Sequence, residues 1–442
     1  MNEAQPFDVI DSRSNTNSND MEPLMDSRDS PADNVQTVSR FASHPIYQDI
    51  LAKHRMVEAL GMLQPYFRVF DEHHTGRCWI NGRELVDFSS YNYLGLAEDP
   101  RVREAAKAAI DVYGPTVSAS RMIAGERAIH RELEAKIAAM LGAEDCVAFV
   151  GGYVTNESTL GHLYGKGDLI ITDELAHASI MQGAQLSRAK RLKFAHNDLN
   201  ALETLLIDHR KKFRRVLIII EGVYSMDGDI PHLPDYIFLK QKYDADLMVD
   251  EAHSMGVLGQ RGGGIRDLYN VDAADVDIWM GTLSKAFSSC GGYIAGSKEL
   301  VSILRFTGPG FVYSVGMPPS NAAAAIAAID ILKREPERAQ HVRDLAEYFR
   351  SQSAEKGFDT GLACGAAVCS IIVGDTIRCV RMSDALFKKG FSVFPMVEPA
   401  VPHNQCRLRF FFSASHSRKD IDNVITALQE IFSLQTQDEA HA

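Results

Sequence analysis

The sequence predicts an α/β protein with a large, doubly wound, mostly parallel sheet domain followed by a smaller α+β C-terminal domain. Three observations carry this expectation. From Cys146 to Ala295 short apolar runs alternate with helical patterns, the rhythm of a parallel sheet covered on both faces. After about Ser314 that rhythm breaks, and two helical stretches lead into a few strands and a closing helix. At 442 residues the chain is also too long for one small core.

Taken in order, residues 1–43 are rich in Asn, Asp, Ser and Pro without apolar periodicity, the composition of a disordered tail. An N-terminal segment follows over residues 44–100. In it Ile46, Ile50, Leu51, Val57, Leu60 and Leu63 are spaced as one face of an amphipathic helix. Trp79 to Phe88 reads as a hairpin turning at Asn81-Gly82, and Ser89 to Leu96 as a polar, aromatic loop. The large domain is expected over residues 101–314. It opens with helices at Arg101–Val112 and Ile129–Leu141, separated by Gly114–Gly125, a small-residue stretch too long for a simple turn. Its strands are expected at Cys146–Val150, Leu169–Thr172, Val216–Glu221, Leu247–Asp250, Val276–Met280 and Tyr293–Ala295. Helices at Ser179–Leu186, Leu199–His209 and Pro234–Tyr243 separate several of them. The small domain, residues 315–442, begins with helices Pro319–Lys333 and Glu337–Lys356. Strands near Val368–Val373, Ser392–Phe394 and Arg407–Phe412 and a last helix, Lys419–Phe432, complete it.

Composition narrows the function. A formal net charge of −12 argues against nucleic acid as a ligand, because the phosphate backbone selects basic surfaces. No apolar run approaches the roughly 20 residues of a membrane span. The N-terminus lacks the basic and apolar regions of a secretory signal, so a cytoplasmic location is expected. Seven cysteines are scattered singly without a Cys-x-x-Cys pair, which favours reduced thiols over a disulfide framework or a zinc site. Cys290 reads as a small buried residue packed beside glycines.

In open α/β sheets ligands gather at the carboxyl ends of the strands. The residues just past the apolar runs are Gly151-Gly152-Tyr153, Asp173 to His177, Gly222 to Asp227, Asp250 to His253 and Thr282 to Lys285. Lys285 follows a buried-looking run, and two readings are open for it. It is a surface lysine at a strand end, or an amine whose pKa burial has lowered, suited to carry a carbonyl cofactor as a Schiff base. Asp250 ends a strand of Leu247, Met248 and Val249, and a carboxylate buried there needs a partner. A protonated pyridine nitrogen would serve, and would keep the ring an electron sink. The competing reading, a metal-binding pair Asp250-Glu251, calls for a Gly-rich phosphate loop ending in Lys-Ser/Thr, and the sequence has none.

The motifs Asn92-Tyr-Leu-Gly-Leu96, Asp173-x-x-x-His177-Ala-Ser, Glu221-Gly-Val-Tyr-Ser-Met-Asp-Gly228, Val249-Asp-Glu-Ala-His253, Gly281-Thr-Leu-Ser-Lys285 and Arg407-Leu-Arg409 occur in an order and spacing that resembles the α-oxoamine synthases. The likeness covers about Pro65 to Phe432. It implies a fold-type I transferase that uses pyridoxal 5′-phosphate (PLP) and needs no metal. On the resemblance, Lys285 is the Schiff-base lysine and moves the proton at the substrate Cα. Asp250 pairs with the pyridine nitrogen, His253, assisted by Ser225, with the phenolic oxygen, and His177 stacks on the ring; a helix cap is the other reading of His177. Phosphate contacts fall to Gly152, Tyr153, Thr282 and, from a second subunit, Ser314, which implies a homodimer with a shared active site. Arg409 grips the amino-acid carboxylate, Asn92 and Ser120 contact the amino acid, and His130 is structural. Period two puts Arg407 and Arg409 on one strand face, so only the family pattern selects Arg409.

The implied reaction condenses a small amino acid with an acyl thioester on coenzyme A or on a carrier protein, releasing CO2, free thiol and an α-amino ketone. Ser118-Ala119-Ser120-Arg121 falls where the family contacts the amino-acid side chain, which favours serine over alanine or glycine. Met122 and Ile123 read as core or as contacts to a long acyl chain. Ser288-Ser289-Cys290 departs from the family's glycine-rich sequence after the lysine. Two other readings stay open: another PLP activity on this fold, such as an aminotransferase or lyase, and a cofactor-free scaffold.

Overall fold

The computed structural model describes residues 39–62 and 64–441, with side chains described through residue 434. The expected tail therefore lies outside the described residues up to residue 38, and Leu63 does too. Arg40–Ser43, expected to close that tail, instead form a 3-10 turn capped by the Ser39 hydroxyl. Among the described residues, 39–56 belong to one unit and those from Val57 onward to another. The amphipathic helix is present as Pro45–Ala59, and none of its residues is buried.

The hairpin forms as predicted. Strands β1 (Glu72–His74), β2 (Arg77–Ile80) and β3 (Arg83–Asp87) run antiparallel. Asn81 and Gly82 both adopt positive φ, 53° and 70°, as a two-residue turn of matching twist requires. The small-residue loop holds a five-residue π-helical turn, Arg121–Gly125.

Seven strands make the large sheet: β4 (Asp145–Phe149), β5 (Leu169–Asp173), β6 (Lys190–Phe194), β7 (Val216–Glu221), β8 (Asp246–Asp250), β9 (Ile278–Thr282) and β10 (Gly292–Gly296). Their order is β4-β10-β9-β8-β7-β5-β6. All are parallel except β10, which runs antiparallel between β4 and β9. Every residue of β5, β7, β9 and β10 is buried, which is why their sequences read as continuous apolar runs. The register sets Glu221 beside Asp250 and Asp250 beside Met280, so Glu221, Asp250 and Thr282 emerge along one edge of the sheet.

Some elements differ from expectation. β9 starts two residues later than Val276 and continues through Gly281-Thr282. Gly281 is obligatory there, because a Cβ would lie 2.2 Å from the Tyr293 ring. β6, Lys-Arg-Leu-Lys-Phe, escaped notice because its Lys190, Arg191 and Lys193 are exposed on the sheet edge. Gly152–Leu163 is a helix absent from the expected elements, because its buried residues include Thr155, Asn156, Ser158 and Thr159 and form no apolar stripe.

In the C-terminal part, β11 (Val368–Gly374), β13 (Phe394–Met396) and β14 (Cys406–Phe411) form an antiparallel sheet ordered β11-β14-β13. Between β11 and β13 lies the two-residue β12 (Phe391–Ser392), which pairs in parallel with β3. The single strand expected at Ser392–Phe394 is thus two, in different sheets. Thr376–Lys388 is a further helix, and the closing helix is longer than expected, Arg418–His441. The alanine-rich helix Pro319–Arg334 packs on Pro100–Tyr113 and Ala128–Leu141, where buried Ala322, Ala325 and Ala328 allow close approach. Phe88 touches Phe410 at 5.8 Å and Phe349 touches Phe410 at 4.7 Å, so one apolar cluster joins the loop after β3 to the small sheet.

Candidate active site

β9 ends in Thr282, whose hydroxyl donates to the Gly291 carbonyl at 2.9 Å and accepts the Ser284 N–H at 3.2 Å. This turn leaves the Lys285 ammonium 5.8 Å from the Tyr91 ring centroid. Burial lowers the Lys285 pKa to about 8; Asp250 and Glu221 oppose the shift and the Arg409 charge adds to it. Lys285 is half-buried as a residue because it borders open cavities, while protein surrounds its ammonium.

β8 delivers Asp250. One carboxylate oxygen accepts the Ala252 N–H and the other the Asn156 amide, each at 2.9 Å. Both donors are neutral, and among the described residues no cation pairs with this buried carboxylate. Asn156 also donates to the Ser179 hydroxyl at 2.9 Å. His253 is buried, with Nδ1 2.6 Å from the Tyr93 hydroxyl and its ring parallel to Phe411. Burial, then the charge of Lys285, holds it well below the ordinary histidine pKa, so its imidazole is neutral with Nε2 left for a ligand. His177 caps the helix Ala178–Leu186 through Nδ1, which accepts the Ser179 N–H at 3.2 Å. Its ring also borders the cavity, 6.3 Å from the Tyr153 ring, so the capping and ring-stacking readings are compatible. Its pKa is lowered, mainly by burial.

Lys285, Asp250, His253, His177, Thr282, Gly152 and Tyr153 line one cavity of about 210 Å³. The remaining sequence-predicted residues lie elsewhere. Asn92 borders an adjacent cavity that also reaches Lys285. Its amide donates to Glu98, and its oxygen accepts from Leu96, Ala97 and the Ser288 hydroxyl. Ser120 donates to the Val312 carbonyl at 2.7 Å and caps the π-helical turn. Ser225 presents its carbonyl to Arg409 at 3.1 Å. The Ser314 hydroxyl donates to the neighbouring Val315 carbonyl, 3.2 Å away, in a partly exposed segment. His130 is structural, its Nε2 2.8 Å from the Met317 carbonyl. Cys290 is exposed rather than buried: the turn that carries Lys285 turns it outward.

The two arginines of β14 have different surroundings. Arg407 is paired with Asp227 at 2.6 Å and bonded to Gln405. Arg409 rests 4.6 Å over Phe411, meets no carboxylate among the described residues, and leaves its buried Nε without a partner. Sequence reasoning missed Asn156, Ser179 and Ser284, which also line the main cavity. It also missed Glu221, whose carboxylate accepts the His177 N–H at 2.6 Å and whose pKa burial, then Asp250, raises well above the usual range. Glu221 and Ser284 stand in the quoted motifs, whereas nothing in the sequence marks Asn156. Glu251 lies apart from Asp250, bonding the Ser254 hydroxyl and the Ile265 N–H.

These surroundings fit PLP. A buried aspartate served by neutral donors suits a pyridinium nitrogen, and Lys285 suits its aldehyde carbon. The helix Gly152–Leu163 opens at Gly151 without a side-chain cap, which leaves its first N–H groups for a phosphate. A Cβ on Gly152 would lie 3.0 Å from the Thr282 hydroxyl, so a side chain there would crowd the cradle. A doubly wound sheet presenting lysine, aspartate and histidine to one cavity defines a fold-type I PLP enzyme. Residues 83–428 match the aminotransferase class I and II family. The chain is 40% identical over 355 residues to 8-amino-7-oxononanoate synthase of Symbiobacterium thermophilum, covering 80% of this chain and 90% of that one. Its fold is similar to Sphingomonas wittichii serine palmitoyltransferase, with TM-score 0.84 and 29% identity over 89% of this chain and 98% of that one. A serine palmitoyltransferase structure with a PLP internal aldimine gives 0.85 at 28% identity over the same shares. The chain belongs to the α-oxoamine synthase family. It is a PLP-dependent acyltransferase that condenses an amino acid with an acyl thioester, with loss of CO2.

Proposed function

We propose that the amino acid is small, with alanine favoured, and that Arg409 holds its carboxylate. The observation that carries this reading is the contrast in β14, where Arg407 is neutralised by Asp227 while Arg409 keeps a buried, unpartnered Nε. A guanidinium in that state is prepared for a two-pronged carboxylate contact. Alanine is favoured because relatives 40% identical are 8-amino-7-oxononanoate synthases, which use alanine. The Ser120 hydroxyl, one of the features that pointed to serine, is also engaged by Val312. Serine is the second reading, supported by the likeness to serine palmitoyltransferase at TM-score 0.84.

When bound, PLP supplies the electron sink for charge that develops at Cα. Lys285, with its lowered pKa, takes and returns the Cα proton. Asp250 holds the ring nitrogen, His253 offers Nε2 to the phenolic oxygen with Ser225 nearby, and His177 covers the ring face. Gly152, Tyr153 and Thr282 hold the phosphate, with Ser314 reaching over from a second copy; Asn92 and Ser120 border the amino acid. The acyl donor is carried by coenzyme A or a carrier protein. The test is an absorbance titration of the holoenzyme with alanine, serine and glycine, followed by thiol release from an acyl thioester. Tightest binding by alanine with stoichiometric thiol and CO2 is expected. Consumption of a keto acid without thiol release would replace this reading with a transaminase.

A further inference from the structure

A second, larger cavity adjoins the catalytic one, and both include His177 in their walls. It measures about 1070 Å³, within reach of the size of organic-ligand sites. Leu175 and Leu362 face it from the two domains, 39% and 56% exposed. Ile372, Pro399, Val401 and Pro402 continue the apolar wall. The other cavity that reaches Lys285 has about half that volume, 550 Å³, and sets the charged His73–Asp87 pair beside Phe70, Tyr91 and Phe394.

The charges of the larger cavity are mostly spent. Arg407 is paired with Asp227, and His196 lies between Asp173 and Asp229 at 2.9 Å from each. Lys193 is a cation without an ion pair among the described residues. Against it stand Glu174, which accepts the His196 N–H, and Asp359, which accepts the Gly361 N–H; neither has a cation partner. Two unpaired carboxylates therefore stand against one unpaired lysine, and a negatively charged chain end would meet net repulsion there.

We propose that this cavity holds the acyl arm of the thioester donor and selects an uncharged, methyl-ended aliphatic chain over one ending in a carboxylate. The proposal rests on the acyl-thioester reading above and goes against the donor of the 8-amino-7-oxononanoate synthases, a pimeloyl thioester whose chain ends in a carboxylate. Specificity falls to Leu362 and Leu175 as the opposed walls, and to Glu174 and Asp359 as the groups that repel an anion.

The test uses holoenzyme saturated with its amino acid and two donors of equal length, octanoyl-pantetheine and 7-carboxyheptanoyl-pantetheine. Pantetheine is common to coenzyme A and carrier proteins and is itself uncharged. The expected result is kcat/KM at least about tenfold higher for the octanoyl donor. Leu362→Asp, and independently Leu175→Asp, should raise the octanoyl KM about tenfold while the absorbance response to the amino acid stays. Both positions are exposed, so neither change disturbs the core. An equal or reversed preference overturns the methyl-ended selectivity, and an unchanged KM in both variants overturns the location. No thiol from either donor, with the amino-acid response intact, overturns the acyl-thioester reading itself and this proposal with it.

Discussion

Arg409→Lys separates recognition from architecture in β14. The wild-type guanidinium donates to the Ser225 carbonyl at 3.1 Å and to the Met226 sulfur at 3.3 Å, and keeps Nε buried and unpartnered. A lysine preserves the charge and loses the planar fork, so at least one charge-assisted hydrogen bond to a bound carboxylate disappears. Such a bond contributes about 1.5–3 kcal/mol, which converts to roughly 10- to 150-fold weaker amino-acid binding at about 1.4 kcal/mol per tenfold. The assay is the absorbance titration of holoenzyme with amino acid. Arg407→Met is the control: it leaves the mostly buried Asp227 carboxylate, 12% exposed, without its cation, and is expected to lower stability by about 3 kcal/mol in thermal denaturation with a smaller effect on amino-acid affinity. An Arg409→Lys enzyme that binds its amino acid as the wild type does would refute the assignment.

Three further outcomes are expected. Because the Lys285 pKa is lowered to about 8, PLP capture by apoprotein should quicken with pH and level off just above that value; continued rise to the ordinary lysine range would contradict the burial argument. Gly152→Val should weaken PLP affinity on the order of tenfold by pressing on Thr282, whose hydroxyl lies 3.0 Å from the new Cβ position, measured by equilibrium dialysis. His73, held between Asp87 and Glu98, has its pKa raised from 6.5 to about 10, with the Asp87 contact the first cause. A folded-state pKa raised in this way stabilises the protein fully below pH 6.5 and loses that effect as pH rises through 10. His73→Gln should therefore cost about 2 kcal/mol near pH 6 and much less at pH 10, and a gap independent of pH in denaturant titrations would count against the ion pair.

The parts of the fold legible in the sequence are those buried on both faces. β5 and β7 read directly as apolar runs, and Lys285, Asp250 and His253 stood out by following such runs. β6 was illegible because an edge strand can carry exposed lysines, and Gly152–Leu163 because a helix packed on several sides needs small residues rather than an apolar stripe. Asn156 was hidden for the same reason: its role at Asp250 arises from tertiary packing, and an amide in such a helix carries no distinguishing pattern. The different surroundings of Arg407 and Arg409 were not legible in the sequence, because the difference lies in Asp227, far away along the chain. The exposure of Cys290 depended on a turn whose direction composition does not encode.

The position of β10 has a consequence for biosynthesis. Among the described residues β4 has β10 as its one neighbour in the sheet, so Asp145–Phe149 leave the ribosome long before the strand that will pair with them. The backbone of this strand waits without its sheet partner through the synthesis of five intervening strands. A strand left unpaired during translation is open to wrong pairing until its partner is made. Loading of the vitamin B6 derivative is correspondingly a late event, since the lysine turn is not anchored until Gly291 has been made and can accept the Thr282 hydroxyl.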